Sequence, residues 1–136
     1  MNKKVMAIVA VIALVAILGI CLVACNAESY QKKLEKEGYK VETYDADSDY
    51  VKAINKGMAE DEDYSGEIKW AVVATKVDLS LSKGLDAGHV SIYKFAKIAD
   101  AKQFVKDMGA EEDSENVVRK GNIVFVGDKA SVDIVA

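Results

Sequence analysis

The sequence predicts an α+β fold of the ferredoxin-like (split βαβ) kind: an antiparallel sheet with helices on one face, plus N-terminal and C-terminal additions. Three observations predict it. A strand period followed by a helix period occurs twice at nearly constant spacing: Val41 and Tyr44 precede Ile92 and Phe95 by 51 residues, and Ile54 and Met58 precede Phe104 and Met108 by 50. Each strand–helix pair is followed by a further strand, which gives β-α-β twice, the element order of the split βαβ. Residues 67–77 are apolar at both odd and even positions, as in a central strand covered on each side.

The elements follow in order. Glu28–Glu37 is a short helix with Tyr30 and Leu34 on one face, and Gly38 offers a left-handed stop. Tyr39–Tyr44 alternates as a strand. Asp47, Ser48 and Asp49 are cap residues for a helix carrying Val51, Ile54 and Met58. After an acidic turn, Glu60–Asp63, the strand Glu67–Val77 places Ile68, Trp70 and Val72 on one face and Ala71, Val73 and Thr75 on the other. Asp78–Gly88, polar and with Gly84 and Gly88, reads as a loop whose Leu79, Leu81 and Leu85 either fold back as a flap or extend the preceding strand. Val90–Phe95 is a strand. Ile98, Ala101, Phe104, Val105 and Met108 form an amphipathic helix ended by Gly109, with no side-chain cap but with Asp100 in the first turn, where the helix dipole favours it. Beyond the acidic loop Glu111–Glu115, Asn116–Arg119 and Asn122–Val126 flank Lys120-Gly121 as a hairpin. Asp128–Ala136 closes the chain as a helix capped near Asp128, with a last strand as the alternative.

The first 24 residues have the parts of a secretory leader: Lys3 and Lys4, an uncharged apolar run Val5–Leu22, and small residues before Cys25. An uncleaved membrane-spanning helix is the alternative, because 18 apolar residues can cross a hydrocarbon core of roughly 30 Å. Leu22-Val23-Ala24-Cys25 resembles the lipobox of bacterial lipoproteins: an aliphatic residue, a small or β-branched one, a small one, then cysteine. Cys21 does not match, because bulky Ile20 precedes it. The resemblance implies cleavage before Cys25, a diacylglycerol thioether on its sulfur, and in some members a third chain on its amine. Each buried methylene contributes about 0.8 kcal/mol, so two or more chains hold a protein firmly to a bilayer. The rest of the chain resembles small bacterial lipoproteins of unassigned activity in its Tyr93–Phe95 strand, the helix after it and the segment Gly121–Gly127. The implied organisation is a signal peptide over 1–24, a lipidated N-terminus with minimal linker over 25–27, and one α+β domain over 28–136.

Composition narrows the function classes. The leader holds two Lys and no acid, so residues 25–136 carry 16 basic against 22 acidic side chains, a net charge of about −6. That sign argues against nucleic acid and against broad contact with anionic headgroups. Both cysteines belong to the N-terminal region, which excludes a structural disulfide, thiol catalysis and Cys-ligated zinc in the remainder.

Few residues suggest chemistry. Asp45-Ala46-Asp47-Ser48-Asp49 begins like a calcium loop, but Tyr50 replaces the required glycine and Lys56 the bidentate glutamate. Asp61, Asp63 and Ser65, with Gly66 in sixth place, fit better but put Val72 at the bidentate position. His89, the single histidine, is a candidate general base or pH sensor beside Ser80, Ser82 and Ser91, though no nucleophile-elbow motif surrounds them. Trp70, Tyr93 and Phe95, on neighbouring strands, are candidates for a shared ligand-lining or core cluster. The expected function is therefore a lipid-anchored extracytoplasmic binding module without catalytic, metal or cofactor residues. Its partners are the membrane, through acyl chains on Cys25, and a protein partner or a second copy of the chain. A calcium-responsive surface module and a small hydrolase-like enzyme are the alternatives.

Overall fold

The computed structural model describes residues 26–80, 84–109 and 116–136. The N-terminal segment expected to be a leader, with Cys25, and the segment Glu111–Glu115 lie outside the described residues. The elements are α1 (Ala27–Lys36), β1 (Lys40–Asp45), α2 (Asp49–Ala59), β2 (Ile68–Ser80), β3 (Gly84–Phe95), α3 (Ile98–Asp107), β4 (Val117–Lys120), β5 (Ile123–Gly127) and α4 (Lys129–Val135). The local signals act as their chemistry requires. Asn26, Ser48 and Asp128 accept hydrogen bonds from the first-turn amides of α1, α2 and α4, whereas α3 starts without a side-chain cap. Gly38 has φ +90°, a conformation that a Cβ would strain, and stops α1.

The sheet is open, fully antiparallel and ordered β1-β2-β3-β5-β4. That strand order is not the ferredoxin-like one. A split βαβ keeps its two helix-linked strands parallel, with a third strand between them. The second half does this, since β3 and β4 run parallel on either side of β5. The first half does not: β1 and β2 are direct antiparallel neighbours, with Tyr44 opposite Ala71. The cause is the connection. β2 begins beside the end of β1, with Asp45 opposite Trp70, so the chain returns to the end of the sheet that it left and the α2 segment makes an excursion rather than a crossover.

The helices also do not share one face. On one side α2 and α3 pack Val51, Met58, Ala101 and Val105 against Ile68, Ala71, Phe95 and Val124. On the other, the terminal helices α1 and α4 pack Tyr30, Leu34, Val132 and Val135 against Val72, Ala74, Val90, Ile92 and Phe125. The additions at both ends are thus the second cover that the two-sided apolarity of β2 requires. Each of the Val, Leu, Ile and Phe side chains among them, fully buried, contributes about 1.5–3 kcal/mol.

Two details of register differ from simple alternation. Between Ile68 and Trp70 a bulge shifts the pairing with β3. Ile68 therefore joins the α2–α3 side, while Trp70, Val72 and Ala74 face α1 and α4. Asp78–Ser80 and Gly84–Gly88 are not loop but paired strand, the strand-extending alternative, while Leu81 lies outside the described residues. Val77 pairs with Ala87, Leu79 with Leu85 and Ser80 with Gly84. β1 reaches only Thr75 and β5 only Val90, so Lys76–Ser80 and Gly84–Gly88 project past their neighbours as a two-stranded arm of about 17 Å.

Candidate functional site

Three places gather groups that could act: a polar chain where the arm leaves the sheet, the acidic loop before β2, and a groove at the opposite end of the sheet.

The polar chain starts at Tyr39, whose hydroxyl lies 2.6 Å from Ser131 Oγ in the interior. Ser131 Oγ in turn donates to Asp128, 2.8 Å from Oδ1. Asp128 also accepts from the backbone N–H of His89 at 2.7 Å and of Ser131 at 3.1 Å. Desolvation pushes the Asp128 carboxyl upward, but these donors outweigh it and hold the group below its ordinary pKa. Gly88 leaves the space: a Cβ there would lie 2.8 Å from both Ser131 Oγ and the Tyr39 hydroxyl. The carboxylate thus ties β3 to α4.

His89 is exposed, with Nε2 3.3 Å from Ser91 Oγ. The base and hydroxyl of the enzyme reading are therefore adjacent. Asp128 meets the main chain of His89, so it does not orient the imidazole as the third member of a catalytic triad does. Ser80 has its backbone in the arm, and Ser82 lies outside the described residues.

In the acidic loop the carboxylates serve local structure. Asp61 Oδ1 accepts the Asp63 amide at 2.9 Å, and Asp45 Oδ1 the Asp47 amide at 2.9 Å, both as Asx turns. The Lys97 ammonium lies 3.3 Å from the Ser65 carbonyl oxygen and 3.2 Å from its hydroxyl, placing a positive charge where the calcium reading needs a cation. Among the described residues no three His, Cys, Asp or Glu side chains form a metal-holding group. Asp100 is buried; its Oδ1 accepts the Ser65 amide at 3.1 Å, and its Oδ2 has no protein partner. The first-turn carboxylate of α3 thereby clamps this loop. Tyr64 donates to Asp107 at 2.6 Å, and burial first, then this bond, raise its pKa well above the ordinary range.

The expected cluster of Trp70, Tyr93 and Phe95 does not form. Tyr93 and Phe95 pack on Phe104 of α3, with ring centroids 5.4 and 5.3 Å away. Trp70 lies on the other face of the sheet, 5.9 Å from Tyr30, which stands edge-on to Phe125. Alternation after the bulge separates them. Instead Trp70 opens onto a groove of about 360 Å³, shared with Asn26, Ala27, Thr43, Tyr44 and Lys69. Glu28 and Asp45 line it as well. Sequence reading missed this groove because its walls come from three segments distant in sequence. Cys25, one residue before Asn26, lies outside the described residues.

Comparison with family models, with curated proteins and with solved structures yields no match. Among the described residues no helix is long and apolar enough to cross a membrane.

Proposed function

We propose that this chain is a lipid-anchored extracytoplasmic interaction module, held by acyl chains on Cys25, that meets a protein partner through the β2–β3 arm and carries no catalytic centre. The arm is the observation that supports this reading. Both faces of the sheet are covered by the protein's own helices, yet the arm leaves two strands without outer neighbours. Val77 on it is 70% exposed. A two-stranded hairpin is marginal in water by itself, and free strand edges accept a further strand. The arm also leaves the sheet at the end opposite Asn26, the side away from a membrane attached at Cys25.

Two measurements test the reading. Intact-mass analysis of detergent-extracted protein should show a chain that starts at Cys25 with added acyl mass, and Cys25→Ala should abolish both features. A photo-crosslinking residue at position 77 in living cells should give a discrete adduct, while one at Met108, also exposed but on α3's side, should not. Retention of Met1–Ala24 without acyl mass removes the anchor. Identical, diffuse labelling at both positions removes the arm.

A further inference from the structure

We propose that the groove around Trp70 rests in the phospholipid headgroup layer of the anchoring leaflet, so that the domain stands on this end and points its arm away from the membrane. The inference rests on the reading of Cys25 as acylated and adds an orientation to it.

The first argument is the absence of slack. Asn26 is fixed as the α1 cap: its Oδ1 accepts the Ser29 amide at 2.9 Å, and its carbonyl oxygen the same amide at 3.2 Å and the Ser29 hydroxyl at 2.9 Å. The Cα of Cys25 is about 3.8 Å from that of Asn26. Acyl chains on Cys25 lie in the hydrocarbon, so ordered protein begins at headgroup depth. A flexible linker of ten residues would allow an excursion of about 18 Å, and one residue allows almost none.

The second argument is the chemistry of the end so placed. Asn26 and Ala27 are themselves walls of the groove, beside Trp70 and Tyr44. Trp combines an apolar body with a polar tip and favours the boundary between hydrocarbon and water, whereas the Tyr44 ring lies on the α2 side against Tyr50. Charge here is mixed: Lys69 is 3.2 Å from Glu67, and Lys32 is 3.3 Å from Glu28. Such a surface suits a zwitterionic layer and does not depend on anionic lipid. From Trp70 to Ser80, β2 spans ten residue steps, about 33 Å, which separates the two ends of the domain.

The chain's single tryptophan makes this measurable. The lipidated protein is reconstituted in phosphatidylcholine vesicles with and without lipids brominated high on the acyl chain. Trp70 emission should shift to the blue and lose most of its intensity with the brominated lipid. In Trp70→Phe/Val77→Trp, the reporter on the arm should keep its intensity. Protein that floats with the vesicles but leaves Trp70 unquenched overturns the orientation alone, as does equal quenching of both reporters. Protein that neither floats nor carries acyl mass overturns the anchor and the orientation together.

Discussion

At the scale of single residues, Asp128, though itself exposed, ties together three parts of the chain near His89. It caps α4, receives the His89 amide across from β3, and takes the hydroxyl of Ser131, which Tyr39 reaches from the end of α1. Asp128→Ala removes the cap and leaves Ser131 without its acceptor, at a cost of about 2 kcal/mol. Because folding lowers the pKa of this carboxyl, its contribution is present above the unfolded value near 3.8 and fades as pH falls through the lower folded value. Denaturant titrations should therefore separate wild type and variant fully at pH 7 and progressively less below about pH 4. A constant difference down to pH 2 would show that the cap geometry, not the charge, matters. The same network shows what sequence conceals at this scale. Asp128 was legible as a cap, but its bond to the His89 amide depends on β3 lying beside β5. The split of Ile68 from Trp70 onto opposite faces depends likewise on one bulge that no residue type announces.

At the scale of elements, most of the fold was legible where caps and periods agree, as in α2 with Ser48, Val51 and Met58. The arm was not, although its pattern is visible: Val77, Leu79 and Leu81 alternate with Asp78, Ser80 and Ser82. Polar residues and Gly84 outweighed the alternation because they are equally at home in a turn. Pairing partners decide such a segment, and pairing is not local. Strand order was hidden for the same reason, since the element order β-α-β fits both a crossover and an excursion that returns to its own end. The two parts of the hairpin should differ in stability. Amides of Val72 and Ala74 lie in a strand flanked on both sides, whereas those of the arm have one neighbour only. Hydrogen exchange should be faster over 76–80 and 84–88 than over 70–74 and 90–94. Val77→Thr, at a position 70% exposed, should change global stability by less than about 0.5 kcal/mol while weakening any contact made by the arm. A larger loss of stability would mean that the arm supports the sheet.

At the scale of the whole molecule, charge and the proposed acyl attachment pull in different directions, and their balance gives a sign that can be measured. The body is acidic, about −6 over residues 25–136. An anionic leaflet repels this net charge. With Cys25 acylated as proposed, attachment comes from hydrocarbon, which salt does not weaken, while the repulsion decays within a Debye length of about 10 Å at 0.1 M salt and about 3 Å at 1 M. The acylated protein should therefore bind vesicles rich in phosphatidylglycerol more tightly as salt rises, and bind phosphatidylcholine vesicles with little salt dependence. Flotation across a salt series checks this directly. Release from either membrane by 1 M salt would mean that a basic surface holds the protein, for instance the helix α1 with Lys32, Lys33 and Lys36, and that its acyl chains, if present, do not suffice. Retention with the opposite dependence on lipid charge leaves the acyl tether as the force that fixes the domain in place. The acidic body then keeps all but its tethered end clear of the surface.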